Sequence, residues 1–290
     1  TEGYSEFSAS DDFAMQATQY ALACMDEAQQ ALERQKLLEM NTQGRSMPQK
    51  KAQVPPVEKV AMRVDQRMCD RLKKRIAHSR EVTIFLSSPF EGLLEERAGL
   101  VQGHGPAALC EKHGVSLHFV DLRWGITSSM SEQSLTMKTC LDAIKDSDIF
   151  VGFYGQRYGA SMIDGKSQDW LVPSLQLCHD RYPWLKEQSP FCDDGATTKK
   201  SVTHLEFEFG YNDAHRNVGD DDSGPIAAFA FFRDEQFDLE HGEKNTGEAW
   251  KYQAENAESR ELLQQLKEDT MTWAKAGKGA LWAYPTPQAF

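Results

Sequence analysis

The run Ser201-Val202-Thr203-His204-Leu205-Glu206-Phe207-Glu208-Phe209-Gly210-Tyr211 sets two carboxylates into an apolar, helix-forming stretch. Two residues apart on a helix is about 200°, so Glu206 and Glu208 cannot serve one pocket. Ser201 or Thr203 is placed to cap such a helix. Leu205 and Phe209 make an i, i+4 apolar pair expected to face a sheet, and Glu206 lies beside that pair in the first turn. Glu206 is therefore the preferred catalytic carboxylate and Glu208 the alternative. A plainer account remains open, in which Glu206 only favours the helix N-terminus and pairs with an arginine.

Three other segments carry groups suited to a nucleotide: Ser87-Ser88-Pro89-Phe90, Asp121-Leu122-Arg123-Trp124-Gly125 and Tyr154-Gly155-Gln156-Arg157-Tyr158-Gly159. Hydroxyls, guanidinium groups, glycines that admit close backbone approach and aromatic rings can together seat a sugar, a phosphate and a flat base. The candidate nucleotide-binding residues are Ser87, Ser88, Phe90, Arg123, Trp124, Tyr154, Gly155, Arg157 and Tyr158. Each also has a bland reading as a turn residue, a packing plug or an ion-pair partner.

What must position these groups is an alternation of strands and helices beginning near residue 81. Val82–Ser87, Val115–Leu122, Ile149–Tyr154, 226–232 and 280–284 read as short strands, the third apolar almost throughout, as a strand covered on both faces should be. Between them lie a broken helical stretch from Leu93 to Cys110 and helices over Ser131–Lys145, 202–216 and 248–270. Residues 160–200 read as a long irregular insertion. The pattern implies an α/β fold, a five-stranded parallel sheet with helices on both faces. In such a sheet, ligands bind beyond the carboxyl ends of the strands, where all three loops fall.

Ahead of this domain (residues 79–290), residues 1–78 read as a helical hairpin or coiled-coil arm. One stripe runs Phe13, Ala17, Tyr20, Cys24, Ala28, Leu32 and a second runs Val57, Val60, Val64, Met68, Leu72, Ile76. A linker at 41–56, broken by Asn41, Gly44, Pro48, Pro55 and Pro56, separates them. Two such stripes need a partner surface: each other, the next domain or another subunit. The basic cluster Arg71, Lys73, Lys74, Arg75 reads as a solvated face.

Composition narrows the function classes. The 290 residues carry 32 Lys+Arg and 44 Asp+Glu, a net charge of −12. Residues 1–80 are net +2, which leaves −14 for the remainder. So acidic a domain repels phosphate backbones, against a general nucleic-acid binder. No apolar run approaches the roughly 20 residues of a membrane helix. The polar, acidic first dozen residues do not look like a signal peptide. Six scattered cysteines without a C-x-x-C pair suggest reduced thiols in a cytoplasmic protein. Cys178, His179, Cys192, His204 and His215 match no common zinc spacing, so no metal is expected. There is no G-x-x-x-x-G-K-[ST], no G-x-S-x-G and no H-E-x-x-H, and the first strand does not lead into G-x-G-x-x-G.

The ordered segments VTIFLSSPFEGLLEERAGL, VDLRWGI, DIFVGFYGQRYG, SVTHLEFEFG and AFAFFRD resemble a TIR-like domain. It is the one that precedes an NTPase module in nephrocystin-3, telomerase protein component 1 and the NACHT-and-WD-repeat proteins. The DLRWG and RYG segments, correctly spaced, carry most of the likeness. It implies a flavodoxin-like sheet, self-association through the TIR-like domain and the N-terminal helices, and an NTPase region downstream in a longer protein. It further implies cleavage of the nicotinamide–ribose bond, with NAD+ as substrate rather than cofactor, and it places the family's glutamate on Glu206 in the T-x-x-E of Thr203–Glu206. Pro89, Ala160 and the 160–200 insertion depart from the pattern. Nicotinamide leaves NAD+ neutral and needs no general acid, so one buried carboxylate that stabilises a ribosyl oxocarbenium is enough, unlike ordinary two-carboxylate glycoside hydrolysis. The alternative is a non-catalytic assembly module.

Overall fold

Five apolar runs form the strands of one sheet: β1 (Glu81–Ser87), β2 (Ser116–Val120), β3 (Ile149–Tyr154), β4 (Ala227–Arg233) and β5 (Ala280–Tyr284). Every pairing is parallel and the order is β2-β1-β3-β4-β5. This α/β architecture is the one expected from the strand–helix rhythm. The computed structural model describes residues 66–101, 106–122, 135–187, 198–211, 224–276 and 279–284. Residues 1–65, which hold most of the expected arm, lie outside the described residues, as do Arg123 and Trp124.

Parallel strands cannot be joined by tight turns, and helices make the crossovers. Among the described residues the helices are α1 (Gln66–Ser79), which precedes β1, then α2 (Leu94–Val101), α3 (Pro106–Lys112), α4 (Thr136–Lys145), α5 (Gln168–Cys178), α6 (Val202–Tyr211), α7 (Glu235–Lys244) and α8 (Ala257–Lys275). Of the basic cluster on α1, Arg75 is not merely solvated. It pairs with Asp148 at 2.9 Å, and Asp148 also accepts the Thr83 N–H at 2.8 Å, tying α1 to β1 and to the start of β3.

Residue parity along the strands explains which helix lies where. Side chains alternate between faces, so Phe85, Ser87, Phe150, Gly152, Tyr154 and Phe232 share one face. Phe85 and Phe150 stack at 6.1 Å between centroids, and the Phe207 ring of α6 meets Phe150 edge-on at 5.3 Å. A Cβ on Gly152 would overlap the Phe207 ring, and one on Gly210 would overlap Phe150. Two glycines thus let α6 seat directly on β3. Phe153 belongs to the opposite face, where the Arg97 guanidinium of α2 lies 5.3 Å from its ring centroid.

Three sequence expectations change. The 160–200 stretch is not an irregular excursion: it contains α5 and a 3₁₀ turn at Pro183–Glu187. These bury Leu171, Leu175, Cys178, Tyr182, Trp184 and Leu185 in the main core. The expected 248–270 helix is α8 preceded by a 3₁₀ turn at Ala249–Tyr252, and α7 was not anticipated. On α6 the sheet-facing residues are Phe207 and Tyr211. Phe209 instead packs on Tyr182 and Trp184, at 5.2 and 5.9 Å. The α5 segment supplies a layer over the outer side of α6, so the helix is buried from Thr203 to Tyr211. A helix buried all round needs apolar groups on every side, which is why a one-face reading of it fails.

Candidate functional site

The chain runs from β1 outward to β2 and then returns across β1 to β3. The winding reverses between β1 and β3, where a crevice is expected at the strand ends. At this point Ser87 closes β1 opposite Gly152 of β3. Its hydroxyl donates to Glu206 Oε2 at 2.6 Å. The Cys140 thiol of α4 adds a weaker hydrogen bond to the same carboxylate. Glu206 is 6% exposed. Burial raises its pKa from 4.5 to about 6, while the Ser87 and Cys140 hydrogen bonds and the positive charge of Arg97 oppose that rise. The result is a buried carboxylate that is mostly ionised at neutral pH and backed by donors.

Helix α6 delivers Glu206 through its N-terminus. Ser201 is the cap, its Oγ accepting the His204 N–H at 3.1 Å. Tyr154 and Tyr158 hold this cap in place. The Tyr154 hydroxyl lies 3.3 Å from Ser201 Oγ, and Tyr158 Oη accepts the Ser201 N–H at 3.1 Å. Tyr158 Oη also shares a hydrogen bond of 2.7 Å with His204 Nδ1. Burial, with Lys200 adding to it, holds His204 well below the usual histidine range, so it is neutral. Both tyrosine rings are fully buried.

Glu208 points to the other flank of α6, paired with Lys200. Burial raises its pKa and Lys200 opposes the rise. A cleft of about 550 Å³ opens on this flank, lined by Lys200, His204, Glu258, Glu261, Gln265 and Asp269 among others. It is not at Glu206. Glu206 and Glu208 thus serve separate surroundings, as the 200° offset requires.

On the opposite face of the sheet, α2 sends two adjacent side chains to the strand ends. Arg97, 2% exposed, donates from Nε to Ser88 Oγ at 2.9 Å, from Nη2 to the Ser88 carbonyl at 3.1 Å and from Nη1 to Asp121 at 2.6 Å. Glu96 accepts from Arg233 at 2.6 Å and from the Tyr284 hydroxyl at 2.9 Å, and Arg233 also pairs with Asp238. Gly155 belongs to this second network. A Cβ there would lie 2.8 Å from both Arg233 Nη2 and Asp238 Oδ2.

The remaining candidates lie apart from Glu206. Arg157 donates to the Trp250 carbonyl at 3.0 Å, stacks over that ring at 4.9 Å and pairs with Glu255 at 3.4 Å. Phe90 is 54% exposed on the β1–α2 loop. The structure therefore brings together Ser87, Ser88 and Glu206 and adds Arg97, Asp121 and Cys140. Arg97 was not singled out in the sequence, because its partners Ser88 and Asp121 are 9 and 24 residues away and only the sheet brings them close. Among the described residues no cluster of three or more His, Cys, Asp or Glu side chains is arranged to hold a metal. No described helix is long and apolar enough to cross a membrane.

Residues 83–277 match the model of a family described as a domain of unknown function, DUF4062. A TPR repeat-containing protein of Dictyostelium discoideum is 31% identical over 197 residues, 66% of this chain and 10% of that protein. Telomerase protein component 1 of Mus musculus is 30% identical over 194 residues, 65% of this chain and 6% of that protein. NACHT domain- and WD repeat-containing protein 1 of Mus musculus is 28% identical over 78 residues, 24% of this chain and 5% of that protein. The relation to telomerase protein component 1 and the NACHT-and-WD-repeat proteins, expected from the DLRWG and RYG segments, is thus found. The chain spans a tenth or less of the length of these relatives. No solved structure matches it.

Proposed function

The chain belongs to the DUF4062 family, and from that footing we propose that its α/β domain is a TIR-like module that cleaves the N-glycosidic bond of NAD+ or a related nucleotide. One observation carries this reading: a buried carboxylate, Glu206, held by the Ser87 hydroxyl at 2.6 Å where the sheet reverses its winding. The bond between ribose C1′ and the pyridinium nitrogen breaks, and its electron pair leaves with nicotinamide, which departs neutral. Glu206 stabilises the ribosyl oxocarbenium through space. Water adds at C1′ and loses one proton, giving nicotinamide, ADP-ribose and H⁺ from NAD+ and water. A pKa near 6 keeps the carboxylate charged for this task at pH 7. Arg123 and Trp124, which follow β2 in the sequence, would contribute to the nucleotide site. Glu208 stands as the alternative carboxylate.

The module would act within a longer cytoplasmic protein carrying an NTPase region, and self-association through the domain and the N-terminal helices would raise its activity. Incubation with NAD+ and chromatography of the products tests the chemistry. Nicotinamide release by the wild type, lost in Glu206→Gln at unchanged circular dichroism, supports it. Release that survives in Glu206→Gln overturns the choice of carboxylate.

A second reading, a non-catalytic assembly module, is favoured by a different observation. The Tyr154 and Tyr158 hydroxyls are used on the α6 cap, and Arg157 is engaged by Trp250 and Glu255. No nicotinamide release at high protein concentration, with a sedimentation coefficient that rises with concentration, would select it.

A further inference from the structure

Glu206 has polar neighbours on four elements: Ser87 on β1, Cys140 on α4, Tyr154 on β3 and Arg97 on α2. Arg97 alone among them is cationic, and it reaches the site from the opposite face of the sheet. Ser87 and Ser88 are consecutive, so alternation turns the first toward α6 and the second toward α2. The Ser87 hydroxyl holds Glu206, while Ser88 is gripped by Arg97 at both its hydroxyl and its carbonyl, at 2.9 and 3.1 Å. Asp121, at the end of β2, takes the remaining arm of the guanidinium at 2.6 Å. Three donors of one planar fork thus fix one turn of backbone, a task the single ammonium of a lysine cannot reproduce.

Resting on the reading of Glu206 given above, we propose that Arg97 is the positioning residue of the site: by clamping the Ser87–Ser88 turn against Asp121 it fixes the hydroxyl that orients the Glu206 carboxylate. Its charge acts on Glu206 in the same sense, favouring the ionised form. Asp121, sharing that charge, tempers it. Arg97 touches no reacting atom. It acts through Ser88, Ser87 and the field it imposes.

The test reads Glu206 directly and needs no turnover. The Glu206 side-chain carboxyl is followed by ¹³C NMR titration in the full chain, for the wild type, Arg97→Gln, Arg97→Lys and Asp121→Asn, with circular dichroism reporting the fold. A wild-type midpoint near 6 is expected to move up in Arg97→Gln, because a positive charge that favours the ionised form is lost. In Asp121→Asn it moves down, because the positive charge is no longer shared. In Arg97→Lys the midpoint returns toward the wild-type value, while kcat, which depends on the fork geometry, does not recover. The acidic limb of kcat/KM shifts with the midpoint in each variant. An unmoved midpoint in folded Arg97→Gln overturns the proposal. If that variant does not fold, Asp121→Asn decides alone, and a midpoint that rises or stays fixed there overturns it. Absence of nicotinamide release from the wild type would remove the proposed reaction, yet the titration would still decide the role of Arg97.

Discussion

Ser87 and Glu206 stand 119 residues apart in sequence, and their side-chain oxygens lie 2.6 Å apart. The pairing joins the last residue of a strand to the fifth residue of a buried helix, in its second turn. It exists because Gly152 has no side chain to keep Phe207, and with it α6, away from β3. A donor fixed on a strand end holds an orientation that a loop hydroxyl would not.

Ser87→Ala removes a hydrogen bond made to the ionised form of Glu206. The carboxyl midpoint should then rise from about 6, by roughly 1 unit for one lost charge-assisted bond. A ¹³C titration that stays put would show that the hydroxyl does not favour the charged form.

Glu206 also gives the fold a pH dependence of defined sign. Its folded pKa of about 6 lies above the unfolded 4.5, so the native state binds more protons between those values. Its contribution to stability therefore falls as pH rises through that window, and the penalty is fully present above about pH 6. Glu206→Gln should remove roughly 2 kcal/mol of the stability difference between pH 4 and pH 8. Urea denaturation of both proteins at the two pH values measures it, and equal differences would contradict the buried carboxyl.

Arg233 lies between Glu96 and Asp238, and all three are buried. Arg233→Met leaves two carboxylates in the interior without their cation. The expected loss is about 3–5 kcal/mol, read from the urea midpoint. A loss below about 1 kcal/mol would mean that the carboxyls find other partners.

At Gly152 an added methyl meets the Phe207 ring. That ring is already confined by Phe150 and Tyr154, with centroids 5.3 Å away on each side. Gly152→Ala should cost about 1–3 kcal/mol through overpacking and weaken the Ser87–Glu206 contact. Unchanged stability with an unchanged Glu206 midpoint would show that α6 has slack.

The parallel sheet was legible because its strands are apolar on both faces: Ile149–Tyr154 and the run from Ala227 are nearly continuous hydrophobic segments. Helix α7 was not, because Glu235–Lys244 offers only Phe237 and Leu239 as large apolar residues and shows no stripe. Helix α5 was hidden by Pro173, which falls inside it. The separate surroundings of Glu206 and Glu208 followed from helix geometry. The sheet-facing residues of α6 did not, because a helix apolar on every side carries no information about which side meets the sheet. The roles of Tyr154 and Tyr158 depend on the folded position of Ser201, which spacing along the chain does not encode.

Glu96 and Arg97 are neighbours on α2, yet they carry opposite charges to different ends of the strand edge, one to Arg233 and one to Asp121. Such an arrangement has no tolerance for a frameshift of one position. Deleting or inserting a single residue before this turn would rotate the helix by about 100° and bring an acid toward Asp121 or a base toward Arg233. The segment between Leu93 and Val101 can therefore exchange side chains in evolution far more readily than it can change length.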